Sequence, residues 1–288
     1  MKKFFVITAV VIMTLTACEK EALNESAVTN QESEPTEVTL TFNPYDMTAM
    51  TRGTARRAAT SVAEVVTRLD VWIYESGTEV AAVHQSSSDD DFGSISLTLN
   101  KTKTYTLYAV GHRAGGAATL ADGIITFPDD KVTHSMYYTE TFSPATKTSL
   151  SCLMNRIVAQ FNFNTTDQCP ASATKMTFTI SNVYDRWSIT DGATHQVDRV
   201  SMFNNFEARN NGTVGFNVYA IVTNAQTLHT VTVTAYDAND QELQSRTFTD
   251  VPLRNGYKTA YLGVFFTDTP TAGAFTIGDW NEYDVVEF

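Results

Sequence analysis

Thr230-Val231-Thr232-Val233-Thr234-Ala235-Tyr236, running directly into Asp237-Ala238-Asn239-Asp240, decides what kind of fold this chain adopts. Successive side chains of a strand point to opposite faces, so Val231, Val233 and Ala235 fall on one side and Thr232, Thr234 and Tyr236 on the other. That describes a half-buried strand of an antiparallel sheet, closed by a turn whose Asp and Asn side chains bond back to their own backbone. The same alternation recurs in both directions along the chain. Leu69, Val71 and Ile73 share a face within 68–74, as do Ile95, Leu97 and Leu99 within 95–99. Further strands are read at 38–42, 80–83, 105–110, 149–163, 175–183, 214–222, 243–248 and 258–266. Glu75-Ser76-Gly77-Thr78 reads as a hairpin turn and Asn100-Lys101-Thr102-Lys103 as another. Helical periodicity is confined to 60–66, and 192–211 reads as an irregular insertion.

Many short strands without intervening helices, in a chain of 288 residues, predict an all-β protein with two antiparallel β-sandwich domains in tandem. The expected boundary follows Ser143-Pro144, giving domains over 38–145 and 146–288. Abundant threonine favours the same class, because β-branched side chains suit a pleated surface. A net charge of -12 with a pI near 4.8 opposes the clustered cations that phosphate backbones require, so nucleic acid is excluded as a partner.

Residues 1–17 read as a signal peptide: Lys2 and Lys3 precede an apolar run over 4–15, shorter than the about 20 residues a spanning helix needs. Leu15-Thr16-Ala17-Cys18 resembles the lipobox of a bacterial lipoprotein precursor, with Cys18 as the lipid attachment site. Several acyl chains on that residue hold a protein to a membrane nearly permanently. Residues 18–37 are acidic, lack aromatics and are expected to form a disordered tether. Cys18-Glu19-Lys20-Glu21 is also similar to the surface-export signal of lipoproteins in Bacteroides-type bacteria.

Motifs that carry chemistry are missing. The chain has no Gly-x-Ser-x-Gly, no Walker-type loop and no dinucleotide fingerprint, so neither catalytic residues nor a cofactor are expected. His84, His112, His134, His195 and His229 are dispersed without metal-ligand spacing and read as surface or edge-strand residues; no metal site is expected. Asp89-Asp90-Asp91 reads as a solvated turn. Trp72, Trp187 and Trp280 are weighed as stacking platforms for sugar rings, with Trp72 assigned to an apolar strand. Cys152 and Cys169 are either one disulfide, formed in an oxidising compartment, or two buried thiols. Thr51-Arg52-Gly53-Thr54-Ala55-Arg56-Arg57 is either a solvated loop or a proteolytic site, at Arg52, Arg56 or Arg57.

The order of several motifs resembles the fimbrillin family of Bacteroides-type bacteria, the type V pilus subunits with their anchor and accessory lipoproteins. After the lipobox and acidic tether come Val38-Thr39-Leu40-Thr41-Phe42, then Leu69-Asp70-Val71-Trp72-Ile73-Tyr74-Glu75-Ser76-Gly77 and Tyr105-Thr106-Leu107-Tyr108-Ala109-Val110. Leu153-Met154-Asn155-Arg156-Ile157-Val158-Ala159 is similar to the opening of the family's second domain, and Val251-Pro252-Leu253-Arg254-Asn255-Gly256-Tyr257-Lys258-Thr259 to a late motif. The resemblance implies two transthyretin-like sandwiches and subunits that join by strand exchange after an arginine-specific protease frees the first strand. It implies 38–42 as that strand, Arg52 as the leading cut, and 274–288 as a donor segment. It also implies a lipid-anchored, surface-exposed position on the outer membrane and other fimbrial subunits as partners, with a host or bacterial surface ligand. Anchor members keep lipid and first strand, and the run of motifs favours an anchor or accessory subunit. The alternative is a standalone surface lipoprotein that binds glycan.

Overall fold

The computed structural model describes residues 34–44, 61–267 and 274–279. Cys18, Arg52, Arg56 and Arg57 lie outside the described residues, as do the signal 1–17 and the tether up to residue 33. The described chain is built from strands, with 3-10 turns only at Val62–Glu64 and Pro128–Asp130. The helical periodicity read at 60–66 is therefore a single 3-10 turn.

One group of strands places β1 (Pro35–Pro44) between β4 (Ser94–Asn100), which runs antiparallel to it, and β9 (Ser149–Arg156), which runs parallel. A second group is ordered β3 (Thr78–Ser86), β2 (Arg68–Glu75), β5 (Tyr105–His112), β8 (Met136–Phe142). Among the described residues their backbones pair at Met136↔Arg156 and Tyr137↔Asn155, and their inward side chains share one core that includes Leu40, Leu69, Leu107 and Leu150. This is a β-sandwich, as the alternation predicted. The hairpin read at 75–78 is present, with Ser76 and Gly77 both at positive φ, the geometry of a two-residue hairpin loop. The turn at 100–103 is a correction: it joins β4 to β5, which lie in different strand groups, so the chain crosses the sandwich there.

The same pairing order occurs a second time. β10 (Val158–Thr165) lies between β13 (Gly215–Ile221), antiparallel, and β16 (Tyr257–Gly263), parallel, as β1 lies between β4 and β9. The facing group runs β12 (Gly192–Asn204), β11 (Lys175–Ser188), β14 (Thr227–Tyr236), β15 (Glu242–Leu253). A second core fills the space between, with Phe163 within 5.4 Å of Phe178, Tyr261 and Phe265. The run first read as a single strand over 149–163 is split between the two sandwiches, since β9 belongs to the first and β10 to the second. The insertion expected over 192–211 is for most of its length β12, paired along β11. From Val197 on one face is half-buried, with Val197, Arg199, Ser201 and Phe203, and the other exposed, with Asp198, Val200, Met202 and Asn204; mixing apolar and polar side chains on both masks the period-two signal.

Two features exceed this repeat. β6 (Thr119–Ala121) and β7 (Ile124–Thr126) form a small hairpin between β5 and β8, and β7 pairs with the end of β11. A third apolar cluster at that crossing contains Trp72, Val110, Ile125, Phe127, Val158 and Ile221, drawn from both sandwiches. β17 (Ala274–Asp279) adds an outer antiparallel strand to β16.

Candidate functional site: the seat of the first strand

The strand over 38–42 extends at both ends into β1, and its position follows from its side chains. Val38, Leu40 and Phe42 are 0%, 0% and 2% exposed, whereas Glu37 and Thr41 face solvent. The inward trio packs among Ile95 and Leu99 of β4 and Leu150, Cys152 and Met154 of β9. Burying three such side chains contributes on the order of 5 to 8 kcal/mol, by the usual worth of a fully buried aliphatic or aromatic side chain.

Both backbone edges of β1 are engaged. Leu40 sits opposite Ile95 on one side and Leu150 on the other. Beyond the ladders, the Thr39 amide donates to the Thr148 carbonyl at 2.9 Å and the Phe42 amide to the Gly93 carbonyl at 2.8 Å. Gly93 has a φ of +89°, and a Cβ there would lie 2.6 Å from Cγ1 of Val62, so glycine is required at this end of the seat. The Glu34–Lys101 ion pair at the other end is exposed and contributes little. If β1 left, β4 and β9 would border an apolar trough with unpaired amides and carbonyls on both sides, which another extended segment can fill.

The chain returns to the same core at Val62, Val65 and Val66, all buried. Arg113 fastens this re-entry, donating through Nε to the Val65 carbonyl at 2.6 Å and through its terminal nitrogen to the Glu64 carbonyl at 3.1 Å. The basic cluster Arg52, Arg56 and Arg57 thus lies in sequence between two separately buried points, and a cut there would free β1 from the rest of the chain without removing its contacts.

At the other end of the chain, β17 pairs from Tyr257↔Asp279 to Leu262↔Ala274. This is the described part of the donor candidate 274–288. Leu262 is 60% and Ile277 37% exposed, so the outer strands leave apolar surface uncovered. Just before it, the Asp167 carboxylate accepts from the backbone amides of Phe265, Phe266 and Thr267 at 2.9, 2.7 and 2.8 Å, which pins the chain where β16 ends.

Cys152 and Cys169 are free thiols, and the bridge weighed between them is not formed. Cys152 is buried in the first core, whereas Cys169 packs against the second. Burial pushes the Cys152 thiol up to about 12, with the Glu140 carboxylate adding to the effect, and burial pushes Cys169 to about 11. Among the described residues no group of three or more His, Cys, Asp or Glu side chains is placed to hold a metal.

The histidine reading needs correction. His112, His134 and His229 are buried. Buried Asp70 receives His84 Nδ1 on one carboxylate oxygen at 2.7 Å, and His112 Nε2 and the Ala118 amide on the other at 2.8 Å each. Arg156 Nε donates to His134 Nε2 at 3.0 Å, and His134 stacks on Tyr219. No residue-type motif marks either cluster; the only signal is Asp70 standing in an otherwise apolar run.

The sequence profile described as "Fimbrillin-A associated anchor proteins Mfa1 and Mfa2" matches residues 30–286. Among solved structures, a candidate adhesin of Bacteroides thetaiotaomicron has a TM-score of 0.52 and 11% identity, covering 86% of this chain and 97% of its own. A candidate adhesin of Bacteroides ovatus gives 0.52 and 15%, covering 85% and 95%. The fimbrial anchor protein Mfa2 from Porphyromonas gingivalis is a looser match, at 0.42 and 13%, covering 85% and 98%. At these identities the first two report a shared fold. No curated protein sequence matches the chain.

Proposed function

Because the chain belongs to the family of fimbrillin-A associated anchor proteins Mfa1 and Mfa2, we propose that it is a lipid-anchored anchor or accessory subunit of an adhesive cell-surface fimbria, joined to its neighbours by strand exchange. In this reading residues 1–17 are removed on export and Cys18 carries the lipid at the outer membrane. The tether then presents two tandem sandwich domains to other subunits. The work is done by assembly and contact, and no bond-breaking step is assigned to it.

The observation that carries this reading is the seat of β1, an apolar strand with both backbone edges paired inside the first sandwich. Lying on the N-terminal side of the basic cluster, this strand can leave after a single cut, and its departure would create a complete acceptor for a donor segment. Retained, it keeps the seat closed, as suits a subunit that ends a polymer at the membrane.

Mass spectrometry of the mature N-terminus from native membranes tests the reading. A diacylglyceryl Cys18 together with co-purifying fimbrial subunits in ladders stable to mild detergent is expected. A soluble chain beginning just after Arg52, Arg56 or Arg57 would move the protein to the stalk. A lipidated chain that never co-purifies with another subunit would end the fimbrial reading.

A further inference from the structure

A pocket of about 290 Å³ opens where the two sandwiches adjoin, and neither the strand seat nor the outer edge of β17 uses it. Its lining comes from both halves: Tyr137 of β8, Asn155 and Arg156 of β9, Trp187 of β11, and Asn224 and Asn255 from loops of the second sandwich. The volume lies just under the usual range of ligand sites, about 300 to 1,000 Å³, and so suits a small ligand such as a single sugar ring.

We propose that this pocket binds a neutral saccharide. Trp187 and Tyr137, with ring centroids 5.7 Å apart and planes inclined by 52°, provide two aromatic faces for the apolar side of a pyranose ring. Three asparagine amides, which donate and accept in fixed planes, suit its hydroxyls. Asn255 already donates to the Asn224 side-chain oxygen at 3.0 Å, which ties the two loops together at the rim. Three polar atoms of lining residues lack a hydrogen-bond partner: the Tyr137 hydroxyl, Trp187 Nε1 and Asn255 Oδ1. Each is buried from solvent in the unbound chain, so meeting an incoming hydroxyl requires a side-chain shift of the size common on binding. Thr139 lies near the Tyr137 hydroxyl without reaching hydrogen-bond geometry.

The lining contains no carboxylate, and Arg156 is engaged with His134. No cation or anion is therefore called for, and the two aromatic faces favour a ring with an apolar side. The proposal does not depend on assembly, since every lining residue belongs to one chain.

The test uses the purified full-length mature chain, titrated with glucose, galactose, mannose, N-acetylglucosamine and lactose. Intrinsic Trp emission and saturation-transfer NMR are read in parallel. Saturable binding of at least one sugar in the millimolar range is expected, weakened roughly tenfold in Trp187→Ala, the size of a lost aromatic contact. Asn255→Ala, at a half-buried loop position, is expected to weaken binding with an unchanged circular dichroism spectrum, and it decides the matter if Trp187→Ala does not fold. The proposal is overturned if no sugar in the panel gives a saturable response in either readout, or if both variants bind as the parent does. Because no second subunit is present, neither result bears on whether the chain joins a fimbria.

Discussion

Asp70 stands with Trp72 and Tyr74 on the face of β2 opposite Leu69, Val71 and Ile73. It is fully buried, because His112 at the end of β5 stands beside it and the chain between β5 and β8 folds back over that face with the Ala118 amide and Phe127. The inward trio Leu69, Val71 and Ile73 was legible, since alternation alone fixes it; the cover was not, since it comes from 40 to 60 positions away. Removing the carboxylate leaves buried His112 and the Ala118 amide without it in the interior, while half-exposed His84 can turn to water, so Asp70→Ala is expected to lower unfolding free energy by about 3 kcal/mol in urea titration. A loss under about 0.5 kcal/mol, the range of ordinary surface substitutions, would show that the network carries no weight. Cys152 gives a second residue-scale expectation. Its thiol is raised to about 12 from an ordinary 9.0, so between those values the unfolded chain has released a proton that the native one keeps. The thiol's contribution is complete below about pH 9 and is lost as pH climbs towards 12. Cys152→Ala should flatten that alkaline decline, and in the parent Cys152 should resist maleimide at pH 8 until the fold is opened.

Among elements, β1 and β12 mark the two ends of what the sequence discloses. β1 was readable because Val38, Leu40 and Phe42 alternate with polar residues and all three enter one core. β12 was read as a loop because Thr194, Gln196, Asp198 and Arg199 give no apolar face; it is a strand because β11 offers a long partner edge. Pairing between distant segments, not local pattern, makes it one. The seat of β1 is open to a direct measurement. Leu40→Ala deletes a fully buried side chain at the middle of the seat and is expected to cost about 2 to 5 kcal/mol. In a chain cut by trypsin between Arg52 and Arg57, the parent should retain the β1 peptide through gel filtration. Leu40→Ala should release it at lower denaturant. Release of the parent peptide without denaturant would mean that the seat does not hold β1 once the covalent link is gone.

Across the whole molecule, the pairing order of the first sandwich recurs in the second, and what joins them is the cluster around Trp72, Ile125, Val158 and Ile221 with polar groups at its margin. The repeat itself was not visible in the residues, because β3 and β12 occupy the same place with unrelated side chains. At the margin, His134 is buried against Tyr219 and accepts from Arg156. Burial first, then Arg156 and Arg113, hold it well below its ordinary 6.5, so the native molecule keeps it neutral. Once unfolded, the same ring takes up a proton as pH falls past about 6.5. Proton uptake therefore favours the opened state: the junction's stability is full above that pH and declines below it, by about 1.4 kcal/mol for each pH unit until the native ring itself titrates. Calorimetry should show one cooperative transition at pH 7.5 and, near pH 5, a lower and broader one that separates towards two as the sandwiches uncouple. His134→Asn, which takes up no proton, should keep the same profile at both pH values. If the parent and this variant lose stability equally on acidification, the acid response lies elsewhere and the junction owes its hold to the apolar cluster and the β7–β11 pairing.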